Sequence, residues 1–165
     1  MKRLALLLAA TLTLATPAFA QTQTPATPPV TYPGYGRIIT LAEAKTVIAA
    51  AEAEARKNGW NVVIYIVEPT GALVAAEKMD GTQYGSIDVA TGKAETAARF
   101  RRPTAAFQQA VKDGNLNSIF TGAMALEGGE LLIVDGQTIG AIGVSGATAA
   151  QDGQIARAGA AALLK

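Results

Sequence analysis

Residues 137–164 read QTIGAIGVSGATAAQDGQIARAGAAALL, which spells a strand, a turn and a helix. Ile139, Ala141, Ile142 and Val144 form a nearly continuous apolar run, the pattern of a strand covered on both faces. Gly140 and Gly143 would weaken a free strand, so they belong where another backbone comes close. Ser145-Gly146 breaks the run. Thr148, with Gln151 three residues on, spells a capping box. The helix that follows sets Ile155, Ala158, Gly159, Ala162 and Leu163 near one face, with Gln151, Gln154 and Arg157 elsewhere. A face of such small residues lies close on a sheet. The stretch reads as core architecture. It also offers Ser145, Gly146 and the free amides of a helix start to a ligand carboxylate.

The N-terminal end is of another kind. Lys2 and Arg3 precede an apolar run from Leu4 to Leu14, and Ala18-Phe19-Ala20 is a small-x-small cleavage site. The run is too short for a bilayer span, so residues 1–20 are expected to be a signal peptide cleaved after Ala20. The protein is then periplasmic or secreted, with no membrane association after cleavage. Of 165 residues, 145 remain, enough for one domain with a real core. The 14 basic and 13 acidic residues become 12 and 13 once Lys2 and Arg3 are removed. No global field favours nucleic acid or an anionic membrane. The chain has no Cys, so an exported fold rests on packing alone. It has no His either, which excludes histidine acid–base catalysis and histidine-ligated zinc or haem iron; no zinc is expected.

Residues 21–37 are rich in Pro and Thr and read as a linker, disordered or loosely docked, whose Tyr32 and Tyr35 could pack on the domain or on a neighbouring subunit. The domain proper is expected over 38–165. Thr40 and Glu43 form a capping box ahead of a helix with Leu41, Ala44, Val47, Ile48, Ala51 and Ala55 inward, closed by Gly59. Two strands, Trp60 to Val67 and Ala72 to Met79, flank the turn Glu68-Pro69-Thr70-Gly71. Ser86 is expected to cap a helix over 87–100 with Ile87, Ala90, Ala94, Ala97 and Ala98 inward. Thr104 is expected to cap a shorter one through Val111. A short strand is expected near 122–125. Leu131 to Val134 and the strand from Ile139 flank Asp135-Gly136, a two-residue hairpin signal. Hairpins dominate, so the sheet should be mainly antiparallel with helices against it, an α/β (α+β) fold.

No catalytic serine–histidine pair, cysteine nucleophile, Walker loop or dinucleotide fingerprint is present. Asp80, Asp88 and Glu77 lie where hairpin ends and helix starts collect acids for structural reasons. The best local signal is basic: Lys93, Arg99, Arg101 and Arg102 stand near Phe100 and Thr104. A buried Lys93 needs an anionic partner. Arg101 and Arg102 at a helix C-terminus complement its dipole or bind a carboxylate. Met79, Tyr84 and Phe100 could wall a pocket, although Met79 suits a core and Tyr84 a surface loop.

Three stretches, LAEAKTVIAAAEAEARKNGWNVVIYIVEPTGALVAAEKMDG, GSIDVATGKAETAARFRRPT and GGELLIVDGQTIGAIGVSGATAAQDGQIARAGAAAL, occur in the order of a known family. In them the chain resembles the GlcG/HbpS haem-binding family, related to the C-terminal domain of PduO-type corrinoid adenosyltransferases. The resemblance implies a central antiparallel sheet of about five strands flanked by helices, profilin-like or PAS-like. It implies a homo-oligomer, octamers included, and haem or iron handling or sensing. Haem ligation in the PduO domain is attributed to histidine, which this chain lacks. Haem would then take Tyr84 or Met79 as axial ligand, or rest its propionates on Lys93, Arg101 or Arg102. The expected ligand-binding set is Met79, Tyr84, Lys93, Phe100, Arg101, Arg102, Thr104 and Ser145. The expected function is an exported protein for a small ligand, haem or a related anionic planar molecule. The alternatives are a small enzyme acting on a carboxylated substrate and a non-catalytic oligomeric scaffold.

Overall fold

The computed structural model describes residues 31–164. The expected signal peptide and residues 21–30 of the linker lie outside them. The elements in chain order are β1 (Gly34–Tyr35), α1 (Leu41–Asn58), β2 (Val63–Val67), β3 (Leu73–Lys78), α2 (Ser86–Phe100), α3 (Thr104–Lys112), α4 (Asn117–Phe120), β4 (Gly129–Val134), β5 (Gln137–Ser145) and α5 (Ala149–Ala161).

β5 is the spine of a five-stranded sheet. Along one edge it pairs antiparallel with β4, Gly129 opposite Gly143 and Val134 opposite Gln137. Along the other it pairs antiparallel with β2, Val63 opposite Ser145 and Val67 opposite Ala141. β2 in turn pairs antiparallel with β3. The short β1 takes the remaining stretch of that second edge and runs parallel to β5, Gly34 opposite Gln137. The sheet is therefore mixed rather than wholly antiparallel. The end of the Pro-rich arm joins it, because Gly36 and Ile39 donate backbone hydrogen bonds to Thr138 and Ile139, both 2.9 Å.

Helices cover both faces. On one, α1 and α5 bury Val47, Ile48, Ala51, Ile155 and Ala156 against Ile64, Ile66, Ile142 and Val144. On the other, Ala94, Ala97 and Ala98 of α2 pack on Val67 and Ala141. Gly143 of β5 explains how closely α2 approaches. A Cβ at Gly143 would strike the carbonyl oxygen of Ala90 and come within 2.6 Å of the Ala94 nitrogen. The small face of α5 serves α1 as well as the sheet: a Cβ on Gly159 would lie 3.1 Å from both the Val47 carbonyl oxygen and Ala51 Cβ.

Local signals behaved unevenly. The capping boxes Thr40–Glu43 and Thr148–Gln151 both form, and Gly59 closes α1 at φ 69°. Ser86 and Thr104 are not caps but the first residues of their helices; each hydroxyl is used elsewhere. Ser86 Oγ accepts from Gln83 Nε2, and Thr104 Oγ1 accepts from the Gly129 amide at 2.8 Å. Leu41 and Ile87, expected inward, are exposed. Residues 122–125 form no strand; the short helix α4 and a turn precede them.

Candidate functional site

The C-terminal end of α2 turns sharply into α3. Pro103 forbids continuation of the helix, and Arg101 takes the left-handed conformation, φ 50° and ψ 45°. The amides of Arg101 and Arg102 bond back to the carbonyls of Ala98 and Ala97, closing the helix in the manner usual for glycine. A helix C-terminus carries negative partial charge. Three guanidinium groups, Arg99, Arg101 and Arg102, offset it here.

Aromatic rings surround them. The Arg102 guanidinium lies 4.4 Å from the Phe107 ring centre and 5.2 Å from that of Tyr32. Phe107 meets Phe100 edge to face at 5.3 Å. The Arg101 guanidinium lies 4.9 Å from the Tyr35 ring centre and donates to the Pro33 carbonyl. The Tyr35 hydroxyl donates to the Arg99 carbonyl at 2.8 Å. Both tyrosines of the arm thus pack on their own domain. Arg99 is held at its neck: Nε donates to the Thr70 carbonyl at 3.0 Å and the head reaches Glu95 at 3.4 Å. Gly71, at φ 94°, makes room, since a Cβ there would lie 2.7 Å from Arg99 Nε.

Three clefts open at this corner. The largest, about 430 Å³, is lined by Tyr35, Gly36, Ile38, Pro69, Thr70 and Arg99. It is apolar apart from Arg99 and Thr70, and its size falls in the range of small-molecule sites. A second, about 200 Å³, lies between α3 and α4 and is lined by Arg102, Phe100 and Phe107 among others. A third, about 190 Å³, shares Arg99 with the first and Phe100 and Thr121 with the second.

The remaining expected residues stand elsewhere. Lys93 is 1% exposed, and its ammonium donates to Asp152 Oδ2 at 2.7 Å and to the Val144 carbonyl at 2.8 Å. Burial pushes the Lys93 ammonium down and the Asp152 carboxyl up, and the hydrogen bond between them opposes both shifts. The anionic partner Lys93 required is thus within the chain, and the ammonium faces no cleft. Gly128 is part of the same packing, since a Cβ on it would lie 2.8 Å from Lys93 Nζ. Asp152 also accepts from the Ala147 amide, which ties the turn after Ser145 to α5. Ser145 is buried in β5. Thr104 is fully buried on Gly129. Met79 packs against the core beneath α1. Tyr84 is 85% exposed, with Lys78 Nζ 5.5 Å from its ring centre. It precedes α2, whereas the arginines stand in its last turn and just beyond it, and the 15 residues of α2 span about 22 Å. One subunit therefore does not bring Tyr84 and the arginine corner together. Among the described residues, no three His, Cys, Asp or Glu gather closely enough to hold a metal ion.

The residues that sequence reading left out of the site are Tyr35, Ile38, Arg99 and Phe107. Arg99 stood in the basic cluster near Phe100 but not in the expected ligand-binding set. Phe107 lies seven residues from Phe100 across the Pro103 break, a spacing with no periodicity to flag it.

Comparisons with known proteins agree with this architecture. Residues 39–161 match the family model described as haem degrading protein HbpS-like. The Escherichia coli K12 protein GlcG is 41% identical over 109 residues, 66% of this chain and 81% of that protein. A crystal structure of a Streptomyces reticuli HbpS double mutant is 32% identical, with TM-score 0.71 over 84% of this chain and 99% of that one. The crystal structure of a PduOC–haem complex is 28% identical, with TM-score 0.69 over 76% of this chain and 94% of that one. With the family model covering most of the chain and the same fold in these structures, the protein is a member of the HbpS-like family.

Proposed function

We propose that this chain is an exported binding protein for haem or a related planar anionic molecule, acting as a homo-oligomer in haem or iron handling or sensing. The observation that carries the reading is the α2 corner, where an apolar, aromatic-walled cleft of about 430 Å³ is bordered by Arg99, with Arg101 stacked on the tyrosine that lines it. A flat hydrophobic body would rest on Ile38 and Pro69. Its carboxylates would meet Arg99 and Arg101, whose charged hydrogen bonds are the strong kind. Family membership and the haem carried by the PduOC neighbour support this choice of ligand.

The chemistry of the available donors fits haem without histidine. Haem, when bound, would supply an iron that a phenol oxygen can ligate, and Tyr35, whose hydroxyl donates to the Arg99 carbonyl in its absence, is the phenol that would hold it at this cleft. Tyr84 is the phenol at the other end of α2. Haemin titrated into the purified protein is expected to give a saturable change in the haem absorbance band, weakened about tenfold in an Arg99→Gln/Arg101→Gln double variant. A linear, unsaturable response would refute the reading.

A further inference from the structure

The sole tryptophan of the chain, Trp60, lines a cleft of about 480 Å³ beside the N-terminal end of α2. Three segments meet there: residues 59–61 after α1, residues 81–83 before α2, and residues 146–148 with Gln151 at the start of α5. Asn61 stands between the other two. A Cβ on Gly81 would lie 3.3 Å from Asn61 Nδ2, and one on Gly146 would strike the Asn61 carbonyl oxygen, so both turns close on this residue. The polar groups of the cleft are oriented by the fold itself. Gln151 Oε1 accepts from the Thr148 amide at 3.1 Å, which leaves its NH₂ group to donate. Gln83 Nε2 donates to Ser86 Oγ at 3.2 Å, which leaves its carbonyl oxygen to accept. Thr148 Oγ1 accepts from the Gln151 amide, which leaves its O–H to donate. Asn61, Gln83 and Thr148 are exposed and Gln151 is half-buried, so these groups are open to a ligand.

We propose that this cleft binds a neutral polyhydroxylated ring, the chemistry of a sugar. Among the described residues that line it there is no Asp, Glu, Lys or Arg, so no side chain there favours a net charge of either sign. Amides and hydroxyls instead offer donors and acceptors side by side. A vicinal pair of sugar hydroxyls, each donor and acceptor at once, answers both. Trp60 packs on the core and supplies the large apolar surface of the cleft, against which the C–H face of a ring rests. The volume falls in the range of small-molecule sites. The cleft lies at the opposite end of α2 from the arginine corner, and the proposal does not rest on haem binding.

Because Trp60 is the only tryptophan, its fluorescence reports on this cleft. Three probes are titrated separately into the purified protein. Methyl β-D-glucopyranoside has equatorial substituents that leave flat C–H faces, cyclohexanol keeps a six-membered ring with a single hydroxyl, and glucuronate adds a carboxylate. The expected result is a saturable change in emission with the glucoside, at least about tenfold weaker with cyclohexanol and no tighter with glucuronate. Asn61→Ala, at an exposed position, should weaken the glucoside about fivefold, the loss of one hydrogen bond, with the thermal midpoint unchanged. No saturable change with the glucoside, equal binding of cyclohexanol, tighter binding of glucuronate, or an Asn61→Ala variant that binds the glucoside like the parent would each overturn the proposal. The comparison of the three probes on the parent decides even if the variant does not fold. Haemin is absent from these titrations, so either site can fail without the other.

Discussion

Among the described residues, Lys93 and Asp152 form the one ion pair buried on both sides. Both are nearly solvent-free, they join α2 to α5, and they are 59 positions apart in sequence. Removing one partner strands the other charge in the core. Lys93→Met should therefore cost about 3–5 kcal/mol, seen as a lower urea midpoint, while Lys93→Met with Asp152→Leu should recover most of it. A single variant as stable as the parent would contradict the assignment. Arg101 makes the opposite case. Its left-handed backbone costs roughly 1 kcal/mol relative to glycine, so Arg101→Gly should raise the urea midpoint slightly and weaken haemin binding together. At this scale the sequence was legible in kind but not in partner. That a buried Lys93 must meet an anion follows from charge alone. That the anion is Asp152 depends on two helices meeting across the sheet, and no local pattern in the sequence carries that. The hydroxyls of Ser86 and Thr104 also misled: each sits at a helix start, yet Ser86 is engaged by Gln83 of the preceding loop and Thr104 by the first amide of β4.

At the scale of elements, β5 and α2 decide the geometry. Gly143 in β5 lets α2 settle close enough for alanines to form the interface, and that position delivers the Arg99–Arg102 turn to the corner where the arm arrives. Gly143→Ala should push α2 outward and cost about 1–3 kcal/mol, measured by thermal unfolding; an unchanged midpoint would show that the helix does not depend on that contact. Most of these elements were readable beforehand, because capping boxes, the Asp135-Gly136 turn and apolar runs are local. β1 was not. It is two residues long, lies in a Pro-rich arm, and gains its hydrogen bonds from a strand about a hundred residues away. The strand expected near 122–125 does not form because that stretch lies on α2 instead, where the Met124 amide bonds to Thr96 Oγ1 and the Met124 side chain covers Gly92.

At the scale of the whole molecule, three layers separate structure from recognition. The α1–α5 layer and the sheet hold the apolar core, and the face bearing α2 and α3 carries the exposed Arg99, the half-buried Arg101 and Arg102 and the aromatic rings. The arm completes that face by placing Tyr32 and Tyr35 on Arg102 and Arg101. The candidate site was therefore half legible: the basic cluster beside Phe100 stands out in sequence, but the tyrosine wall comes from a segment with no folding signal of its own. The same layering places Tyr84 and the arginine corner at opposite ends of α2, so they offer competing locations for haem. The decisive measurement is a haemin titration comparing Tyr35→Phe with Tyr84→Phe. The arrangement described here predicts that Tyr35→Phe alters the haem absorbance spectrum and weakens saturation while Tyr84→Phe leaves both as in the parent. Loss of the spectral change in Tyr84→Phe alone would move haem to the other end of α2 and contradict the assignment of the site.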